Sequence, residues 1–434
     1  MADPSRALVV GGGYAGLVTA RVLADRFDQV TVVEQDDITA RPAPAHRRGT
    51  PQSHHPHGML ARGARTLEEL FPGLRDELDK EGAPHIDFGC LPMLYPTGWS
   101  PSVPTDLATQ TYSRPLLEAA LRRRVLALET VTVLDRTRVD GLVRDGRSGR
   151  VTGVRTDGHG VHTADLVVIA AGRHGRALTW LTEIGVPRPA VLAVDGRLSY
   201  ASRPYRRDPV DRPDLRTSIQ ATLAPGTRRG GVVVAIEDDR WLVCLFGADG
   251  ERAPKDPEGF ADYAASLANP YIRTAVRDCE PLGAVHRYGG LGGEWYRYDR
   301  VRPWPGGVVV LGDALCGLNP LYGHGMTVAA VQARLLGRTL DDHGPDRGCA
   351  VFQRCAARAL LVPWYLSTSL DQGWRTDRVP VTAALARRYL DRVLRRIPSD
   401  PELYRRFLRV QHMVAAPLTL LTPSARLRSM GGRS

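Results

Sequence analysis

The sequence predicts an α/β protein with a Rossmann-like dinucleotide-binding domain that is discontinuous along the chain, an inserted antiparallel-sheet substrate domain and a C-terminal helical region. Three observations carry this expectation. Strand, glycine-rich turn, helix, strand and acid follow one another between residues 7 and 34. A second glycine-rich helix entrance follows a buried strand at 307–326. Between them, about 181–285 reads as successive strands without crossover helices, which is an antiparallel pattern.

In the first unit, Ala7–Val10 is a short apolar strand and Gly11-Gly12-Gly13-Tyr14-Ala15-Gly16 satisfies G-x-G-x-x-G. Leu17, Ala20, Leu23 and Ala24 then recur at helical spacing before a second strand, Val30–Val33, that ends at Glu34. Gly11 permits the tight turn, Gly13 lets the backbone approach a pyrophosphate, and Gly16 lets helix and strand pack closely. The helix start, through Tyr14 and Ala15, offers free N–H groups and positive dipole to phosphates. Glu34, 23 residues after Gly11, lies where a carboxylate accepts from ribose hydroxyls.

The second entrance distinguishes the dinucleotide. Gly307–Leu311 is a buried strand ending in Gly312-Asp313, and Asn319-Pro320-Leu321-Tyr322-Gly323-His324-Gly325-Met326 opens a helix through Thr327–Leu336. A carboxylate at a strand end suits a polyol such as ribityl, and a second set of helix N–H groups suits an electron-rich ring edge. NAD has no ribityl chain, so the pair of entrances points to FAD. The FAD-binding domain is then expected over residues 1–80, 106–180 and 286–345, with a substrate sheet over 81–105 and 181–285 and pocket-capping helices over 346–434.

These motifs resemble the FAD-dependent monooxygenases of the para-hydroxybenzoate hydroxylase fold over residues 7 to about 340. The resemblance implies that Asp313 holds the ribityl chain and that Pro320–Met326, including Gly323 and Gly325, lies beside the isoalloxazine ring. Ala164–Arg173, with Gly172, looks like the family's second nucleotide-contact strand, and Arg114 in Ser113-Arg114-Pro115-Leu116-Leu117-Glu118 matches the arginine that reaches FAD. The segments Thr50–Leu60 and Asn319–Thr327 are closer to bacterial flavin epoxidases of polyether biosynthesis and, more distantly, to squalene epoxidase. That likeness implies an apolar natural-product substrate and epoxidation by a flavin C4a-hydroperoxide formed with O2. An aromatic-ring hydroxylase, an isoprenoid reductase or desaturase, and a flavin-binding redox sensor are the alternatives. No second G-x-G-x-x-G follows a strand, so NAD(P)H is expected to bind transiently or to act through a separate reductase.

His54, His55 and His57 lack a neighbouring acid or cysteine, so no metal is expected. They read as a loop near the flavin, with Gln52 and His57 making polar contacts and His54 and His55 largely solvated. Substrate-pocket candidates are His57, Tyr200, Trp241, Phe246 and Trp364. Period-two alternation does not reveal which face of the sheet meets the cofactor.

The remaining features narrow the class. At 434 residues the chain exceeds one compact core, and 43% apolar content excludes wholesale disorder. No stretch approaches the roughly 18 apolar residues of a membrane span. The chain passes almost directly from Met1 into its first strand, leaving no room for a secretory leader, so a cytoplasmic protein is expected. Six scattered cysteines without a C-x-x-C pair suggest reduced, mostly buried thiols. The net charge of +11 comes from dispersed arginines, with no basic stripe for nucleic acid. Lys80 and Lys255 are the only lysines, which argues against a flavin halogenase that needs a lysine to carry activated halogen.

Overall fold

In a computed structural model, residues 4–40, 43–158, 160–208, 214–290, 292–374 and 381–420 are described. Five parallel strands form the first sheet in the order Val308–Val310, Leu166–Ile169, Arg6–Val10, Gln29–Val33, Val131–Leu134. Valine and leucine runs make these strands because both faces are covered, as a parallel sheet requires. Val9 pairs with Val32 on one side and Val168 on the other, and Val168 pairs onward with Val309. The helix Tyr14–Ala24 packs on this sheet against the long helix that begins at His324.

The second sheet has seven strands, with Ser199–Arg206, Arg240–Gly247, Arg229–Ile236 and Thr217–Gln220 at its centre and His286–Gly289 at one edge. It is antiparallel as expected except where Thr217–Gln220 runs parallel to Met93–Tyr95. Alternation splits its side chains cleanly. Tyr205, Val233, Ala235, Trp241, Val243 and Leu245 are buried with Phe260 and Tyr263 of the helix Pro257–Ala265 and Ile272 of the helix Pro270–Asp278. Tyr200, Val232, Val234, Cys244 and Phe246 point the other way, into a cavity. Trp241 is therefore not a pocket residue: it sits on the far face, with the Arg207 guanidinium 5.1 Å from its ring centroid.

The helix His324–Asp371 spans the two helices expected at 327–336 and 351–370. It breaks at Gly344, whose φ of 68° and ψ of 175° leave the helical region, and Pro345 follows without an N–H to restore the ladder. Trp364, on its second half, packs 5.5 Å from Trp295 in the core, so it too is absent from the pocket wall. The segment 61–80 forms two helices, Ala61–Leu70 and Leu74–Lys80, separated at Pro72-Gly73 with Gly73 at φ 79°. Of the capping helices expected over 346–434, residues 375–380 and 421–434 lie outside the described residues. The described parts, Val381–Arg396 and Pro401–Gln411, bury Leu394, Tyr404, Phe407 and Leu408 against Tyr95 and Leu107.

No described helix is long and apolar enough to cross a membrane. No disulfide joins the six cysteines, all of them among the described residues; Cys244, Cys316 and Cys349 are buried, while Cys90 is exposed.

Two buried histidines dock the C-terminal helices. His412 Nδ1 accepts from the Ala61 N–H at 3.1 Å, and His324 Nε2 bonds the Gln411 carbonyl at 3.2 Å. Burial holds His412 down to about 3 and His324 to about 4, against an ordinary 6.5. The unfolded chain therefore takes up protons first as pH falls, and stability drains from about pH 6.5 down to about 4 for His324 and about 3 for His412, by up to ~1.4 kcal/mol per pH unit for each histidine. Thermal unfolding of His412→Asn, whose Oδ1 can still accept from Ala61, should show a shallower loss of melting temperature across that window. An unchanged slope would remove His412 from this account.

Candidate functional site

The C-terminal ends of the parallel strands open into a cavity of about 750 Å³ that reaches under the second sheet. At its polar end the Gly11–Gly16 turn is held by close backbone contact. Gly11, at φ 105°, would place a Cβ 2.7 Å from the Ala170 carbonyl oxygen, and a Cβ on Gly16 would meet the Gly11 oxygen at 1.8 Å. Gly13 is different: the nearest atom to a Cβ there would be Arg47 Nη2 at 3.4 Å, so this glycine keeps the backbone open to the cavity. Gly172, at φ 72°, also lines the cavity and has nothing within 4 Å of its would-be Cβ.

Glu34 receives the Gly12 N–H at 2.7 Å, which ties the second strand to the turn. Beside it lies a buried charge network. Arg47, its side chain 7% exposed, stands 3.4 Å from Glu34, 3.0 Å from Asp36 and 3.4 Å from Glu118. Arg114 bonds Glu118 at 2.7 Å and covers the Tyr14 ring at 5.1 Å. Burial alone would raise the Glu118 carboxyl, but Arg114 and Arg47 hold it below its usual value. Such a network is stable because every buried charge has an opposite partner. The helix Arg114–Leu126 delivers Arg114 and Glu118 one turn apart, and the Ser113 side chain caps it by accepting from the Leu116 N–H at 3.2 Å.

Asp313 follows the last parallel strand. Gly312 turns at φ 62°, and its N–H donates to the buried Gln332 side chain at 2.8 Å. Asp313 faces the cavity; burial raises its pKa, while Arg173, Arg114 and His174 act on it only through space. A Cβ on Gly325 would lie 3.8 Å from its Oδ1. The loop before that helix is pinned from behind by Asp371, whose Oδ1 accepts from Asn319 Nδ2 at 2.7 Å and from the Tyr322 hydroxyl at 3.2 Å. Burial pushes Asp371 up to about 7. Pro320, Gly323, Gly325 and Met326 are thereby held at the cavity wall.

The loop of histidines lies between the polar end and the sheet. His57 Nδ1 donates to the His55 carbonyl at 2.8 Å, since a carbonyl can only accept, and Nε2 remains a lone pair. His55 is buried, not solvated, because its Nδ1 meets Ser202 Oγ at 2.8 Å and its ring stands edge-on to Tyr200 at 4.4 Å. His54 is half-buried, stacked between His46 and His286. Among the described residues no group of three or more His, Cys, Asp or Glu is arranged to hold a metal ion.

One cavity thus gathers Gly11, Gly13, Tyr14, Ala15, Glu34, Gln52, His57, Arg114, Gly172, Tyr200, Phe246 and Asp313, with the 320–326 loop; Gly16 packs just behind. Sequence reasoning missed Arg47, Glu118 and Asp371. Glu118 carried a readable signal, an acid four residues after Arg114 on a capped helix. Arg47 and Asp371 belong to no motif and gain meaning only in three dimensions. The residues fit FAD. The turn leaves room for a pyrophosphate at Gly13, and among the described residues Asp313, facing the cavity, has no protein donor on it and the buried Tyr14 hydroxyl has no protein partner.

Residues 6–114 match a family model described as FAD dependent oxidoreductase. Protein Rv3254 of Mycobacterium tuberculosis (strain ATCC 25618 / H37Rv) is 31% identical over 428 residues, covering 93% of this chain and 88% of its own. Kynurenine 3-monooxygenase of Salinispora tropica is 27% identical over 384 residues, 81% of this chain and 76% of that one. Among solved structures, the flavin-dependent brominase Bmp2 shares the fold, with a TM-score of 0.66 at 14% identity and coverage of 94% of each chain. The chain is therefore an enzyme that belongs to one family with Rv3254 along most of its length, matches the FAD dependent oxidoreductase model over residues 6–114 and shares the fold of a flavin-dependent brominase.

Proposed function

We propose that this enzyme inserts one oxygen atom from O2 into an apolar small molecule, with alkene epoxidation of a natural-product intermediate as the reaction. The cavity's second arm carries this reading. The segment 86–95, the second sheet and the C-terminal helices bring to it Ile86, Phe88, Leu91, Met93, Tyr95, Ile219, Leu223, Val232, Val234, Leu370, Leu394, Phe407 and Leu408, with Thr217, Thr222 and Gln411 polar among them and no charged side chain. The charged lining residues, Glu34, Arg47, Arg48, Arg114, Arg138, Arg173, Arg176 and Asp313, come instead from the segments around the parallel sheet. An amino-acid or carboxylate substrate would find no partner in the apolar arm, and an extended hydrocarbon would find little else.

On this reading, residues 1–80, 106–180 and 286–345 hold FAD, 81–105 and 181–285 form the substrate sheet, and 346–434 cap the pocket. Gly11, Gly13 and Gly16, with Tyr14 and Ala15, receive the pyrophosphate; Glu34 and Arg114 serve the ADP half, beside Gln52 and Gly172. Asp313 takes the ribityl hydroxyls, and Pro320–Met326 borders the ring. FAD supplies the activation of O2 and the transfer of one oxygen atom, the other leaving as water with two electrons from NAD(P)H, directly or through a separate reductase. The helix start at Gly325 and Met326 favours negative charge at the ring edge. The apolar arm excludes water and orients the substrate towards Tyr200 and Phe246.

Epoxidation needs no side-chain base, whereas phenol hydroxylation gains from one. His55 and His57, nearest the sheet, are held by burial to about 3, too weak to draw a phenolic proton at pH 7. Halogenation wants a lysine in the cavity, and Lys80 and Lys255 are both exposed elsewhere.

Three outcomes test these assignments. Asp313→Ala should weaken FAD roughly 10- to 100-fold, the worth of about 1.5–3 kcal/mol for hydrogen bonds to a charged group, so the protein should purify nearly colourless; normal flavin content would refute the ribityl contact. Ile219→Glu should leave flavin content intact but raise KM for an apolar alkene at least tenfold, and an unchanged KM would place the substrate elsewhere. For the reaction itself, photoreduced enzyme should be given ¹⁸O2 with a panel of alkenes and phenols, and products read by mass spectrometry. Labelled epoxides are expected. Labelled phenol products alone would favour an aromatic hydroxylase, and no label in any product would sink oxygen transfer.

A further inference from the structure

Arg173 is the half-buried arginine of the cavity that has no ion-pair partner among the described residues. Of the other arginines lining it, Arg47, Arg114 and Arg176 each have a carboxylate partner. Arg48 and Arg138 are exposed, where water and salt screen them. The Arg173 guanidinium is held by neutral groups alone. Nη1 donates to the Gly292 carbonyl and Nη2 to the Leu318 carbonyl at 2.7 Å. It also lies against Gly317, where a Cβ would come within 2.8 Å of both Cζ and Nε. These contacts fix the cation in place and leave its charge uncompensated.

Its position assigns it to one end of the cofactor site. Arg173 acts through space on Asp313, Tyr200 and Cys316. Leu318, whose carbonyl it holds, directly precedes the 319–326 loop. Those are the residues given above to the ribityl chain and the ring, whereas Arg47 and Arg114 stand beside the glycine turn. A fixed, partly desolvated cation is costly unless an anion comes to it. The oxidised flavin ring is neutral; once it has taken two electrons and one proton it carries one negative charge.

We propose that Arg173 is the cation that stabilises the negative charge of the two-electron-reduced ring and so sets how readily the bound flavin is reduced. The inference rests on the FAD reading above and adds a side-chain charge to the helix N–H groups at Gly325 and Met326. Arginine stays protonated in proteins, so the effect does not titrate. A substrate carboxylate is the other anion this cation could meet, and that role predicts no change in substrate-free enzyme.

The test equilibrates FAD-loaded wild type, R173Q and R173K with a reference redox dye during slow enzymatic reduction under nitrogen, with flavin and dye both read by absorbance. At pH 7 and equal dye ratio, R173Q should show a ratio of reduced to oxidised flavin at least tenfold below wild type, a shift of about 30 mV for a two-electron couple. R173K, which keeps the charge, should stay within about threefold of wild type. A merely structural role would lower both variants alike, because an ammonium cannot reproduce the planar fork on two carbonyls. Should R173Q not hold flavin, R173K decides: its ratio should fall away from wild type as the lysine loses its proton on the approach to about pH 10.4. Equal ratios in wild type and R173Q, a lysine variant as low as the glutamine one, or an R173K curve parallel to wild type up to that pH would each overturn the proposal. Neither substrate nor O2 is present, so the outcome is separate from that of the oxygen-labelling experiment.

Discussion

Everything in the site depends on the strand Leu166–Ile169 lying between Arg6–Val10 and Val308–Val310. Those three strands are more than a hundred residues apart in sequence, yet the parallel register sets Val9, Val168 and Val309 side by side. A parallel sheet carries all its strand ends to one edge. Gly11, Gly172 and Asp313 follow those ends directly and so reach one cavity. FAD is too long for a single turn to hold, and on the proposed assignment this pairing supplies two entrances at once, one for phosphates and one for the ribityl chain. The substrate sheet can be inserted between them because the connection leaves and re-enters the parallel sheet without disturbing its order.

The second constraint is electrostatic. Arg47 and Arg114 could sit beneath the glycine turn as a strong positive field, but Glu34, Asp36 and Glu118 take up that charge internally. The polar end is thus pre-organised without a large unmatched charge, at the cost of burying four or more ionised groups that must keep their partners. Charge stops abruptly where the cavity passes beneath the sheet. From there Val232, Val234, Ile219 and the C-terminal residues Leu394 and Phe407 form an apolar wall. On the proposed reading, the contrast within one cavity separates the chemistry of holding a cofactor from that of holding an apolar substrate.

Much of this was legible in the sequence, and the reasons for the failures are specific. Glycine turns were readable because backbone geometry admits no substitute there: a side chain at Gly16 would collide with Gly11. The strands of the second sheet were readable from alternation, but alternation is blind to which face is which. Trp241 and Phe246 are five residues apart and so lie on opposite faces, and only the packing of Phe260 and Ile272 decides that Trp241 belongs to the core. His55 was taken for a solvated residue because its partner, Ser202, lies 147 positions away. Asp371 was invisible for the same reason: it acts on a loop about fifty residues earlier, through the far end of a helix broken at Gly344.

The account's central claim is that a single cavity holds FAD at its polar end and substrate along its apolar arm. A crystal structure of the enzyme grown with FAD tests it most directly. The claim predicts the pyrophosphate against Gly13, the ribityl hydroxyls on Asp313, and the ring between the 320–326 loop and the face bearing Tyr200 and Phe246, with the arm lined by Ile219 and Phe407 left open. A ring lying within that apolar arm, or a ribityl chain turned away from Asp313, would contradict it.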